Sequence, residues 1–141
     1  MKRLLENWLL GVAAAHVILG LAVPFIAYSG AFDFYAAQLA TTFWNGAAVP
    51  PEAQAFQRWI VALFGPTIAA WGVLMVFLIR AGARSGERWP WDALLLSRLA
   101  WAPADIAISL LHDFWPHVVL DVVATASIAV PALLLRMRSA A

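Results

Sequence analysis

The stretch WIVALFGPTIAAWGVLMVFLI, Trp59 to Ile79, lies between Arg58 and Arg80 and contains no formal charge. A helix needs about 20 mostly apolar residues to cross the hydrocarbon of a bilayer, so this stretch predicts a transmembrane helix. Asn7 to Phe32, between Glu6 and Asp33, is a second charge-free window of sufficient length. Two further windows carry charge within them. Ala93 to Leu111 holds Arg98 and Asp105, and Trp115 to Leu135 holds Asp121. The fold expected is all-α, a four-transmembrane-helix bundle in a single integral membrane domain over residues 1–141. Its helices lie near 7–29, 57–80, 92–112 and 115–136, with an outer connection near 30–56.

Composition agrees with a bilayer as solvent. The chain is 64% hydrophobic and 12% charged, where soluble domains run near 45–50% and 25%. Nine basic side chains against eight acidic ones give a net charge of +1, which excludes the clustered basic face of a nucleic-acid-binding domain. High hydrophobicity excludes intrinsic disorder. The chain has no cysteine, which removes disulfides, thiolate nucleophiles and zinc–thiolate sites. Lys2 and Arg3 before the first window also suit a signal peptide, but that apolar stretch is too long for an h-region and the rest of the chain is equally membrane-like.

The distribution of basic residues gives an orientation. With the N-terminus inside, Lys2, Arg3, Arg80, Arg84, Arg88, Arg136 and Arg138 all fall on the cytoplasmic side, as the positive-inside rule requires. Arg98 is near enough to that face to snorkel to it. Both termini are then cytoplasmic, and the Ala-rich, Arg-over-Lys composition points to a bacterial inner membrane. The inner connection from Ala81 to Trp91 reads as a short hairpin loop. In the outer connection Phe32, Tyr35, Leu39 and Phe43 recur every three or four residues, the pattern of an amphipathic helix lying on the outer surface or capping the bundle. Pro50-Pro51-Glu52 marks the start of the following helix.

Asp105 and Asp121 are the candidate catalytic residues. An ionised carboxylate within hydrocarbon must be paired, hydrated or protonated, and intramembrane acids mark functional sites. Asp105 lies about 13 residues into the third span, roughly 20 Å deep at 1.5 Å per residue. Asp121 is at a similar level from the outer end of the fourth, and His16 is near the middle of the first. Trp101, Asp105, Ser109 and His112 form one stripe at helical spacing, His117, Asp121 and Thr125 form another, and the two can face each other across the short turn from His112 to His117. The candidate ligand-binding residues are therefore His16, Trp71, Trp101, Ser109 and His112. Two tryptophans, Trp71 and Trp101, are placed near mid-membrane, where they can line a cavity for a flat apolar molecule with one polar or cationic end. The others, Trp8, Trp44, Trp59, Trp89, Trp91 and Trp115, are expected at the interfaces. Pro24, Pro66, Pro103 and Pro131 each kink a span.

His117-x-x-x-Asp121, with His112 and Asp113 beside it, has metal-ligand spacing. No converging ligand set is evident from sequence, and no metal or other cofactor is expected. Haem would need two histidines at one depth, and His16 and His112 are offset by about 10–15 Å at the helical rise. No nucleophile elbow, phosphate loop or HExxH motif is present.

The opening Glu6-Asn-Trp-Leu-Leu-Gly11 followed by His16, the pair Pro50-Pro51 ahead of the second span, and the ending Val130-Pro-Ala-Leu-Leu-Leu-Arg136 resemble the EXPERA group, which includes the sigma-2 receptor and the emopamil-binding sterol isomerase. The resemblance covers most of the chain as a pattern. It implies an intrabundle cavity for sterol-like or cationic amphiphilic molecules, and in the isomerase members a proton transfer. This chain departs from the group because its second span, Trp59 to Ile79, has no acidic residue, so that Asp105 and Asp121 would supply the acid. The leading expectation is a membrane protein that binds a lipophilic molecule or membrane lipid in such a pocket, with proton-transfer isomerisation as its enzymatic form. The alternative is a non-catalytic structural or assembly subunit whose polar stripes face a membrane-protein partner or a second copy. Haem or metal binding is third. No nucleic-acid partner is expected.

Overall fold

A computed structural model describes residues 1–139. Five α-helices follow in order: α1 Lys2–Ile26, α2 Asp33–Trp44, α3 Pro51–Ser85, α4 Trp89–Leu111 and α5 Trp115–Arg136, with a short 3-10 turn Gly30–Phe32 before α2. Among them α1, α3, α4 and α5 are long and apolar enough to cross a membrane. The architecture is all-α. Large apolar side chains point outward, among them Phe25, Phe77 and Leu111, as they do where lipid rather than water is the solvent.

The observed ends differ from the expected ones where polar residues extend a helix beyond its apolar stretch. α1 begins at Lys2 rather than near residue 7. α3 begins at Pro51, ahead of the apolar boundary near residue 57 and where Pro50-Pro51-Glu52 marks its start, with Pro in the first turn and Glu52 at the positive end of the helix dipole. It then runs on through Arg80 and Arg84 to Ser85, where Gly86 at φ 72° ends it. At 35 residues, α3 is about 52 Å long at the helical rise, well beyond the hydrocarbon thickness. The connection from α3 to α4 is only Gly86 to Arg88, shorter than the Ala81 to Trp91 loop expected.

The four long helices form an antiparallel ring. α1 packs on α3 and α5, and α4 packs on α3 and α5, leaving α1 and α4 diagonal. The α1–α3 seam is built from small residues. A Cβ on Gly65 would lie 2.5 Å from the Gly20 carbonyl oxygen and 2.7 Å from Pro24 Cδ. One on Gly72 would lie 2.8 Å from the Val17 nitrogen and 2.9 Å from the Ala13 oxygen. The two backbones therefore touch, as membrane helices do when van der Waals packing replaces the hydrophobic drive.

The apolar core lies toward the end that carries both termini. Leu9, Met75, Ile79, Trp91, Leu94 and Ile128 are fully buried there. Trp91, expected at an interface, stands at this end with its ring turned into the bundle. Gly82 leaves room for its ring, whose Cζ2 would be 2.5 Å from a Cβ at that position, and its indole N–H donates to Ser139 Oγ at 3.0 Å. An Arg136–Asp92 ion pair closes the same end. The other half of the bundle holds the polar residues.

Candidate functional site

α4 ends in a turn that determines what faces what. The Phe114 N–H donates to the Ser109 carbonyl at 2.9 Å and the Asp113 N–H to the Leu110 carbonyl at 3.1 Å. This is the paired closure of a Schellman motif, with Asp113 in the left-handed position at φ 54°. The chain reverses at once into α5, with Pro116 in its first turn. His117, in the first turn of α5, is thereby laid against Ser109 in the last turn of α4. The Ser109 hydroxyl and His117 Nδ1 are 3.0 Å apart.

One turn further along α5, Asp121 Oδ2 lies 3.9 Å from His117 Nδ1. Asp105, one turn before Ser109 on α4, completes the group. One donor atom each from Asp105, His117 and Asp121 lie within 4.8 Å of one another. Asp121 is 1% exposed, whereas Asp105 and His117 are half-buried. Asp121 Oδ2 and the Thr125 hydroxyl are buried without a hydrogen-bond partner among the described residues. The polar stripes of α4 and α5 thus converge on a carboxylate pair, an imidazole and a hydroxyl, open on the Asp105 side.

α2 covers this end of the bundle through aromatic contacts. Tyr35 meets Phe114 edge-on with centroids 5.4 Å apart, and Phe32 is 5.5 Å from Tyr35. Arg58 at the start of α3 pairs with Asp33 at 3.8 Å and lies over the Phe32 ring. Burial pushes the Tyr35 phenol above its ordinary pKa, and the negative charges of Asp105 and then Asp121 push it further. Tyr35 is a site residue that the sequence offered only as part of an apolar face. Its aromatic spacing signalled the helix and gave no sign of the acids beneath it.

Four of the residues singled out from sequence lie elsewhere. His16 faces the α1–α3 seam. Its Nδ1–H donates to the Val12 carbonyl of its own helix at 2.8 Å, and its Cβ lies where Gly72 leaves space. α1 and α4 are diagonal, so His16 does not meet Asp105. His112 is the C-cap of α4, where the helical stripe stops. It is exposed, with its ring 5.2 Å from Phe43. His117 holds the position that sequence spacing gave to His112. Trp71 and Trp101 come together around Arg98. They hold Arg98 between them, with its guanidinium carbon 4.9 Å from one ring centroid and 5.1 Å from the other. Arg98 is 6% exposed, so it is clamped by indole faces rather than snorkelling to the inner surface.

The surface hollows among the described residues include two. One, of about 320 Å³, lies between α2 and the start of α3 and is lined by Asp33, Gln54 and Arg58. The other, of about 350 Å³, is an apolar groove between α1 and α5 lined by Leu5, Trp8 and Val130. Neither reaches Asp105 or Asp121. No family model, no curated protein and no solved structure matches this chain.

Proposed function

We propose that this is a small multi-pass membrane protein that binds the polar end of a lipophilic molecule at Asp105, His117 and Asp121. The observation that carries this reading is the convergence of two carboxylates and an imidazole from α4 and α5 in an apolar bundle, with a buried oxygen of Asp121 left unpaired. A buried acceptor without a partner is costly unless something supplies the missing donor. A hydroxyl or ammonium group arriving from the bilayer at half-buried Asp105 is such a donor. Its apolar body would stay among the outward-facing side chains of α4 and α5, so no preformed internal cavity is required.

In the enzymatic form of this reading Asp105 transfers a proton to or from the ligand, and the Ser109–His117 pair holds the imidazole that shares the charge. The resemblance to the EXPERA group supports a sterol-like or cationic amphiphilic ligand. The proposed location is a bacterial inner membrane with both termini cytoplasmic. Support for it comes from Lys2, Arg3, Arg84, Arg88 and Arg136 gathering at one end of the bundle, while Asp33, Glu52 and Arg58 lie at the other.

Mass spectrometry of small molecules extracted from gently purified protein tests the binding claim. A stoichiometric lipophile in the wild type that is lost from Asp105→Asn is the expected result. Bulk lipid alone, identical in both samples, would overturn it and favour a subunit whose α4–α5 face meets a protein partner.

A further inference from the structure

The same cluster has the chemistry of a metal site, and the inference rests on reading it as the protein's working centre. We infer that Asp105, His117 and Asp121 together bind one divalent transition-metal ion. The ligands come from two helices and are already gathered, with one donor atom of each within 4.8 Å of the others. His117 and Asp121 form an i,i+4 edge on α5, and Asp105 faces them from α4. Ligand atoms about 2.1 Å from a tetrahedral ion lie roughly 3.4 Å apart. The His117 Nδ1 to Asp121 Oδ2 separation of 3.9 Å needs only a small side-chain adjustment to reach that.

Charge makes the same demand. No arginine or lysine pairs with either carboxylate among the described residues: the salt bridges of Asp121 and Asp105 number one, to His117. The nearest cation along α4, Arg98, is two turns away and engaged with Trp71 and Trp101. Asp121, 1% exposed, keeps an oxygen without a hydrogen-bond partner inside the cluster. A divalent cation neutralises both acids and occupies that oxygen at once.

The donor set selects the ion. An imidazole with two carboxylates suits zinc, manganese or iron(II), whereas calcium and magnesium take oxygen donors. The Ser109 hydroxyl lies 3.0 Å from the same His117 Nδ1, so an ion bound at that nitrogen displaces this hydrogen bond. Three protein ligands leave a coordination position open, as in catalytic zinc sites. The half-buried Asp105 side is where a water, or an oxygen of the bound molecule's polar end, would complete it.

The test uses full-length protein in detergent, stripped with chelator, reloaded separately with Zn²⁺ or Mn²⁺ and freed of unbound ion. Elemental mass spectrometry should find one ion per chain. His117→Gln and Asp105→Asn, both at half-buried positions, should lose it. Helix content by circular dichroism shows that each variant has folded. Wild type without retained metal, or variants that retain as much as wild type, would overturn the inference. Lipophile found in metal-free protein would overturn only the metal. Metal found without lipophile would leave the metal site standing and overturn the proposed ligand.

Discussion

Asp121 sits one helical turn from His117 and across a helix interface from Asp105, and that placement makes two acids into one site. Its neighbour Tyr35 reports on both. The phenol holds its proton above the ordinary value of 10.0 because burial disfavours the anion and the charges of Asp105 and Asp121 oppose it. Asp105→Asn or Asp121→Asn therefore lowers the Tyr35 pKa, while burial keeps it above that of a free phenol. Tyrosinate absorbance in a Tyr28→Phe background isolates the signal. An unchanged titration in both variants would place the carboxylates away from Tyr35. The sign for stability follows from the raised value. Below pH 10 folded and unfolded chains both hold the proton, and above it the unfolded chain releases it first, so stability falls as pH rises toward the folded pKa. The two acids were legible in sequence because charge inside a span is conspicuous. Arg98 was conspicuous for the same reason, yet its surroundings were not, since the indoles that hold it come from two helices.

At the scale of elements, the α1–α3 seam depends on glycines that no side chain can replace. A Cβ on Gly72 would sit 2.8 to 2.9 Å from backbone atoms of α1 that cannot swing aside. Gly72→Ala should cost about 1–3 kcal/mol, the usual penalty of overpacking, seen as a lower thermal midpoint in detergent. Gly11, in the middle of α1, has nothing within 4 Å of the same position. Gly11→Ala should hold or raise the midpoint through better helix propensity. Equal losses from the two changes would contradict the seam. The spans were readable because charge-free windows are unambiguous. The start of α3 was readable as well, from Pro50-Pro51-Glu52, but its extension at the other end was not, because Arg80 to Ser85 is helical without being apolar. The site shows the same limit. Spacing along an ideal helix carried the α4 stripe as far as His112, but α4 ends at Leu111. The Asp113 turn then brings in His117 from the next helix.

The whole molecule divides its work between two ends. Apolar packing around Trp91, Met75 and Ile128 holds the end that carries both termini, while the polar residues of α4 and α5 meet in the other half beneath α2. The short turn from His112 to His117 already allowed the α4 and α5 stripes to face each other. What was hidden from sequence is that α4 lies diagonal to α1, because periodicity assigns faces and only the ring of four helices gives the neighbours. The central claim is that Asp105 and Asp121 act as one site, and a double-mutant cycle on thermal unfolding tests it most directly. The wild type, Asp105→Asn, Asp121→Asn and the double variant are compared in one detergent. Residues in one polar network couple by about 0.5–3 kcal/mol, and coupling in that range is the predicted result. Additive effects, within about 0.3–0.5 kcal/mol, would mean that the two carboxylates do not share a site.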